Sequence, residues 1–180
     1  MSKTAGLLGG LLVVEPRVFR DARGFFLESF SERTMASHGI SARFVQDNHS
    51  YSVRNVIRGL HYQIRQPQGK LVYVVAGEIL DVAVDLRRPS PSFGQWSAIR
   101  LSAENKKFLW IPVGFAHGFR ALSDGAHVLY KVTDFYAPQS ERTLTWNDPD
   151  LAIDWQLEGE PIVSEKDQQG VAFRDAETFD

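Results

Sequence analysis

Short runs of aliphatic, β-branched and aromatic residues recur along the chain, and turn-forming residues interrupt them about every ten positions. Leu71 to Val75 is one such run, and Phe108 to Ile111 and His127 to Thr133 are others. Ile79 to Leu86 alternates, with Leu80, Val82, Val84 and Leu86 on one face and Asp81, Ala83 and Asp85 on the other. A period of two marks a strand, because successive side chains leave opposite faces of a pleated backbone. The interruptions are Asp21-Ala22-Arg23-Gly24, Ala76-Gly77-Glu78, Arg88 to Gly94, Ser102 to Lys107 and Ser123-Asp124-Gly125. Only Ser31 to Ser37 predicts a helix, with Ser31 as its cap and Glu32 in its first turn. After Asp148 the chain is rich in Asp and Glu with few periodic cues, and it predicts loop with a short helix. Many short, regularly spaced strands predict an all-β sandwich or barrel with a few short helices.

The chain has 180 residues, which predicts one domain spanning 1–180. Lys and Arg number 20 against 22 Asp and Glu, a net charge of −2. That balance lacks the basic excess of a nucleic-acid binder. There is no cysteine, so thiol nucleophiles, disulfides and thiolate metal sites are excluded. Leu7 to Val14 is apolar but broken by Gly9 and Gly10, with only Lys3 basic ahead of it. No secretory leader is expected there, nor any membrane span of about 20 apolar residues. A cytoplasmic location is the expectation.

Pro112-Val113-Gly114-Phe115-Ala116-His117 follows a strand and matches the second signature of the cupin barrels. The first cupin signature supplies two His and a Glu to a metal. Its counterpart here, His61-Tyr62-Gln63, holds one His, and Tyr and Gln are poor ligands for zinc or iron. The expectation is a cupin-type jelly-roll barrel without a metal.

Read alone, three residues stay ambiguous. His61 in a β-run fits a satisfied core or surface group. Lys70 fits a solvated strand start. Tyr130, on the same face as Val128 and Val132, fits a packed core residue.

The chain as a whole resembles the nucleotide-sugar 3,5-epimerases of the dTDP-4-dehydrorhamnose type, from about Glu15 to Asp167. The resemblance is carried by Asp21 to Glu28, Val45-Gln46-Asp47-Asn48, Arg58-Gly59-Leu60-His61, Gln68-Gly69-Lys70 and Asp81 to Asp85. It continues through Trp110-Ile111-Pro112, Gly114 to Phe119, Leu129-Tyr130-Lys131, Trp146 to Pro149 and Ser164 to Asp167. The segment between His61 and Lys70 is slightly shorter than the family's common form, and some relatives extend further past Lys166-Asp167.

The resemblance implies cofactor-free proton abstraction beside a ketone, on dTDP-4-dehydro-6-deoxy-D-glucose. Carbons 3 and 5 flank the C4 carbonyl, so loss of either proton gives an enolate. The resemblance makes His61 the base, oriented by Asp167, Lys70 the enolate stabiliser and Tyr130 the acid on the opposite face. It places Arg23, Arg58 and Lys166 on the anionic part of the substrate. Glu28, Gln46, Asp47, Asn48 and Glu141 match polar nucleotide- and sugar-binding positions, and His117 a substrate-contacting histidine. Phe26 is expected as a wall for the base, and Tyr136 as an aromatic of the sugar pocket. These cations are expected to form a positive pocket in a near-neutral chain. The resemblance also implies a homodimer in which the N-terminal segment, with Arg23 and Glu28, completes the neighbour's pocket.

Three rivals stand beside this reading. A single-site 3- or 5-epimerase shares every motif. A metal-dependent cupin needs a third ligand besides His61 and His117. A non-catalytic sugar-nucleotide binder needs no acid and base on opposite faces.

Overall fold

The structure is a computed structural model that describes residues 7–180. Lys3, the one basic residue ahead of the apolar stretch, lies outside them. Thirteen strands are present among the described residues. They are β1 (Leu12–Val14), β2 (Val18–Asp21), β3 (Gly24–Leu27), β4 (Gln46–Val53), β5 (Val56–Gln63), β6 (Lys70–Ala76) and β7 (Glu78–Asp85). Then come β8 (Trp96–Ser102), β9 (Phe108–Ile111), β10 (Phe115–Ala121), β11 (Gly125–Val132), β12 (Glu141–Thr143) and β13 (Ile162–Val163). Helix α1 is Glu32–Ser37 and α2 is Glu165–Gln168.

Two sheets face each other. One runs β1-β9-β6-β11-β4, the other β12-β5-β10-β7-β8, with β13 added in parallel beside β5. Between them Val72, Val74, Leu109, Ile111 and Val128 meet Ile79, Ala83, Leu101, Phe115 and Phe119. This is the all-β sandwich that the strand pattern predicts, in the jelly-roll form expected from the cupin signature.

The four strands that the sequence reading bounded, β6, β7, β9 and β11, fall within two residues of it. The helix does too: Ser31 caps α1, accepting from the Thr34 N–H. The helix buries Met35 against Val14, Ile40, Leu71 and Phe108 on the outer face of the first sheet.

Strand β7 departs from a half-buried strand, because both of its faces are covered. Leu80, Val82, Val84 and Leu86 pack outward against Leu144, Leu151, Trp155 and Ala176 of the tail. The Asp81 face therefore looks inward, between the sheets. The long tail thus reads as loop by sequence yet acts as an outer layer. Trp155 donates to the Trp146 carbonyl, Trp96 to the Leu151 carbonyl, and the Phe179 N–H to the Leu86 carbonyl. Trp110 sits half-buried beside Phe44.

Strands β2 and β3 form a hairpin of their own, outside both large sheets. Phe19, Phe25 and Phe26 on it are 49%, 56% and 69% exposed. An isolated two-stranded hairpin is marginal in water.

Candidate active site

A cavity of about 240 Å³ opens at one end of the sandwich. Gln46, Asn48, Lys70 and Tyr130 enter it from the first sheet, and His61, Gln63 and Glu141 from the second. Strand alternation explains the set, since Gln46 and Asn48 are two apart on β4, as His61 and Gln63 are on β5.

His61 and Asp167 meet directly, with Nε2 of the ring 2.6 Å from Oδ1 of the carboxylate. The other oxygen of Asp167 accepts the Gly59 N–H at 3.1 Å. Asp167 sits in α2, whose first turn is fixed by Ser164: its Oγ accepts the Asp167 N–H. Burial alone would raise the Asp167 pKa, but the hydrogen bond and charge of His61, the Gly59 N–H and Ser164 outweigh it, so the group titrates below its ordinary value. Gly59 itself has φ +111°, and a Cβ there would lie 2.6 Å from the Gly118 Cα. Two glycines thus let β5 and β10 approach at the point where the dyad is held.

Lys70 begins β6 and is buried, 8% exposed. The solvated strand start allowed by the sequence is therefore not what forms. Its Nζ donates to the His61 carbonyl at 3.3 Å. Burial pushes its pKa down to about 8, against the opposing charges of Asp81 and Glu141. The turn before it is fixed by the Gly69 N–H donating to Thr133 Oγ1, and a Cβ on Gly69 would lie 2.5 Å from the Trp110 ring. The short connection from His61 thus still delivers Lys70 to the cavity.

Tyr130 packs beside the buried Val128 at the core's edge and also lines the cavity. Burial raises its pKa, the Arg58 charge opposes this and the Glu141 charge adds to it. The phenol is therefore protonated at neutral pH and has a proton to give.

Behind the cavity His117 is buried, and its Nε2 lies 2.9 and 3.0 Å from the two oxygens of Asp81. At the rim Glu141 accepts from Tyr136 Oη at 2.8 Å and from Lys166 Nζ at 2.6 Å. Burial alone would raise the Glu141 pKa, yet Lys166 and Tyr136 hold it below its ordinary value.

Other sequence-selected residues lie elsewhere in this protomer. Arg23 and Phe26 sit on the β2–β3 hairpin, where Arg23 is bound by Asp21 at 2.6 Å. Glu28 accepts from Thr34 Oγ1. The Asp47 side chain takes the opposite face of β4 and pairs with Lys131 at 2.8 Å. Arg58 bonds Ser52 Oγ and the Tyr51 carbonyl, close enough for its charge to act on Tyr130. The cations expected to cluster are thus divided between the cavity, its rim and the hairpin. Gln63 and Gln68 also line the cavity; both fall within the sequence motifs above, but neither carries a site role there. For Gln63 the usable signal was its place two residues after His61 on one strand face.

Among the described residues no group of three or more His, Asp or Glu side chains is placed to hold a metal ion. His61 and His117 each face a carboxylate of their own. Among the same residues no helix is long and apolar enough to cross a membrane.

The family profile for dTDP-4-dehydrorhamnose 3,5-epimerase matches residues 6–175. A Pseudomonas aeruginosa protein of that name is 59% identical over 99% of both chains. The crystal structure of a 3,5-epimerase from Legionella pneumophila in complex with dTDP-4-keto-L-rhamnose superposes with a TM-score of 0.94 at 49% identity, covering 98% of this chain and 94% of that one. A 3'-monoepimerase from Streptomyces bikiniensis in complex with dTDP-quinovose gives 0.86 at 33% identity, covering 96% and 87%. With the profile spanning nearly the whole chain and identity this high, the chain belongs to the dTDP-4-dehydrorhamnose 3,5-epimerase family.

Proposed function

We propose that the protein epimerises C3 and C5 of dTDP-4-dehydro-6-deoxy-D-glucose to give dTDP-4-dehydro-L-rhamnose, without a cofactor. One observation carries the reading. A carboxylate-bound imidazole on one sheet and a protonated phenol on the other open into one cavity, with a buried ammonium beside them.

With Nε2 held by Asp167, the Nδ1 lone pair of His61 is free to remove the proton at C3 or C5. The electron pair moves into the ring and the C4 carbonyl oxygen gains negative charge. The Lys70 ammonium is the charge complement for that oxygen, worth more inside a partly dry cavity than in water. Tyr130 then delivers a proton to the carbon from the other face. His61 has gained one proton and Tyr130 has lost one, and exchange with solvent resets both. No oxidation state changes.

Glu141, Lys166 and Tyr136 at the rim, with Arg58 nearby, are the groups of this protomer suited to the nucleotide. We infer that the β2–β3 hairpin serves a second copy of the chain. Its three exposed phenylalanines need a cover, and Arg23 and Phe26 lie outside the cavity of their own protomer. A two-fold dimer would bring them to the neighbour's rim. The same reading places the enzyme in the cytoplasm.

The test is turnover of dTDP-4-dehydro-6-deoxy-D-glucose in deuterated water, followed by mass spectrometry. The expected product carries deuterium at both C3 and C5, a gain of about two mass units, because each carbon is reprotonated by a solvent-exchanging acid. Uptake at one carbon only would make the protein a monoepimerase, and none at all would overturn the reading for this substrate.

A further inference from the structure

Asp81 has no place in the scheme above, yet it is the most completely enclosed ionisable group beside the cavity. It is 0% exposed and faces inward from β7. Both of its oxygens lie within 3.0 Å of His117 Nε2. Its charge also acts on the Lys70 ammonium. A buried carboxylate without compensation is costly, and here a single hydrogen-bonding side chain and one ammonium share the task.

We propose that Asp81 is a positioning residue of the site: one buried carboxylate that keeps Lys70 charged and fixes the tautomer of His117. The proposal rests on the epimerase reading for what Lys70 does in turnover.

The tautomer follows from the geometry. His117 Nε2 faces two carboxylate oxygens, so it carries the hydrogen and donates, and Nδ1 is left as an acceptor. Burial lowers the His117 pKa, Asp81 opposes this and the charges of Lys70 and His61 reinforce it. At neutral pH the ring is therefore neutral. A second cation so close to the cavity would compete with Lys70 for the enolate.

The charge of Lys70 depends on what surrounds it. Lys70 Nζ bonds the carbonyl of His61 on β5, which lies opposite His117 of β10, and the His117 ring is held by Asp81 of β7; Tyr130 from β11 and Glu141 from β12 share the cavity with Lys70. Of these only Asp81 and Glu141 bring a carboxyl group. Glu141 is already engaged by Lys166 and Tyr136. Asp81 is thus the larger of the two charges that offset the desolvation of Lys70, whose pKa burial already brings down to about 8. Removing it would leave a neutral amine over much of the working pH range, unable to balance an enolate.

The test is Asp81→Asn, read in the free enzyme by carbon NMR of labelled lysine, with Lys70→Arg assigning the Lys70 resonance. The Lys70 midpoint is expected at least one pH unit lower than in the parent, about a tenfold gain in neutral amine below the midpoint. Nitrogen NMR of the histidines is expected to show that His117 loses its single Nε2–H tautomer. The alkaline limb of the turnover profile should move down with Lys70. A folded Asp81→Asn protein with both resonances unmoved overturns the proposal. His117→Asn keeps the carboxylate and serves as the second variant, expected to leave the Lys70 midpoint unchanged or raised. A fall there of a unit or more would assign the effect to lost packing and overturn the proposal. Because the NMR readouts need no substrate, failure of the epimerase reading would show separately, as a parent protein without turnover.

Discussion

His61 Nε2 and Asp167 Oδ1 stand 2.6 Å apart although 106 positions separate them in the chain. Asp167→Asn separates orientation from charge. The new amide can still accept the Gly59 N–H through its oxygen, but then turns its NH₂ toward His61. The imidazole is forced to accept at Nε2 and carries its hydrogen at Nδ1, the nitrogen that should abstract. Turnover is expected to fall about 10²- to 10⁴-fold with substrate affinity little changed. His61→Asn should fall at least as far. Near-parental turnover in either folded variant would remove the dyad from the mechanism.

Tyr130→Phe deletes the acid on one face and leaves the base on the other. His61 can still remove a proton and return one from solvent to the same face. Deuterium should therefore wash into the recovered substrate while inversion falls about 10²-fold or more. Loss of exchange and inversion together would instead point to Tyr130 as needed for the abstraction step.

The hairpin can be tested by mixing two inactive parents, His61→Asn and Arg23→Ala, after dissociation. If the hairpin serves the neighbour, each mixed dimer holds one site with an intact His61 and an intact Arg23. Half of the dimers are mixed, so about a quarter of all sites should recover. If the hairpin served its own protomer, mixing would restore nothing.

Asp85 gives a prediction on stability. It is fully enclosed, bound by Arg87, Ser90 and Ser92, and its pKa is held at about 2: burial alone would raise it, and those hydrogen bonds outweigh burial. A carboxylate held below its unfolded value contributes stability above that value and loses it as pH falls through the folded one. Asp85→Asn should therefore cost about 2 kcal/mol at pH 7, and the gap between variant and parent should close between about pH 4 and pH 2. Denaturant titrations at those pH values read it directly.

Strands β6, β7, β9 and β11 and helix α1 were legible because their signals are local: alternation, turn residues and a capping serine. Of the site, the pairs two apart on β4 and β5 follow from alternation alone. Lys70 was not legible without the family likeness, since a lysine at a strand start gives no sign that it will be buried at a cavity shared with the opposite sheet. Asp81 was placed on a polar face that alternation normally turns to water. Its inward direction depends on the tail covering the other face of β7, a contact about 70 residues distant that no local pattern encodes. Arg23 and Phe26 were identified as binding residues, but within one chain the fold leaves them apart from the cavity.

The double covering of β7 has a consequence for motion. A strand with two neighbours in its sheet and a packed layer on each face opens only when the whole domain opens. Backbone amides of Ile79 to Asp85 and of the adjacent β10 should thus be the last to exchange their hydrogens with solvent, at rates set by global unfolding. The hairpin that carries Arg23 lies at the other extreme and should exchange within the first moments in a dilute monomer. Asp81 and His117 thus stand on the part of the molecule that yields last, and Arg23 on the part that yields first.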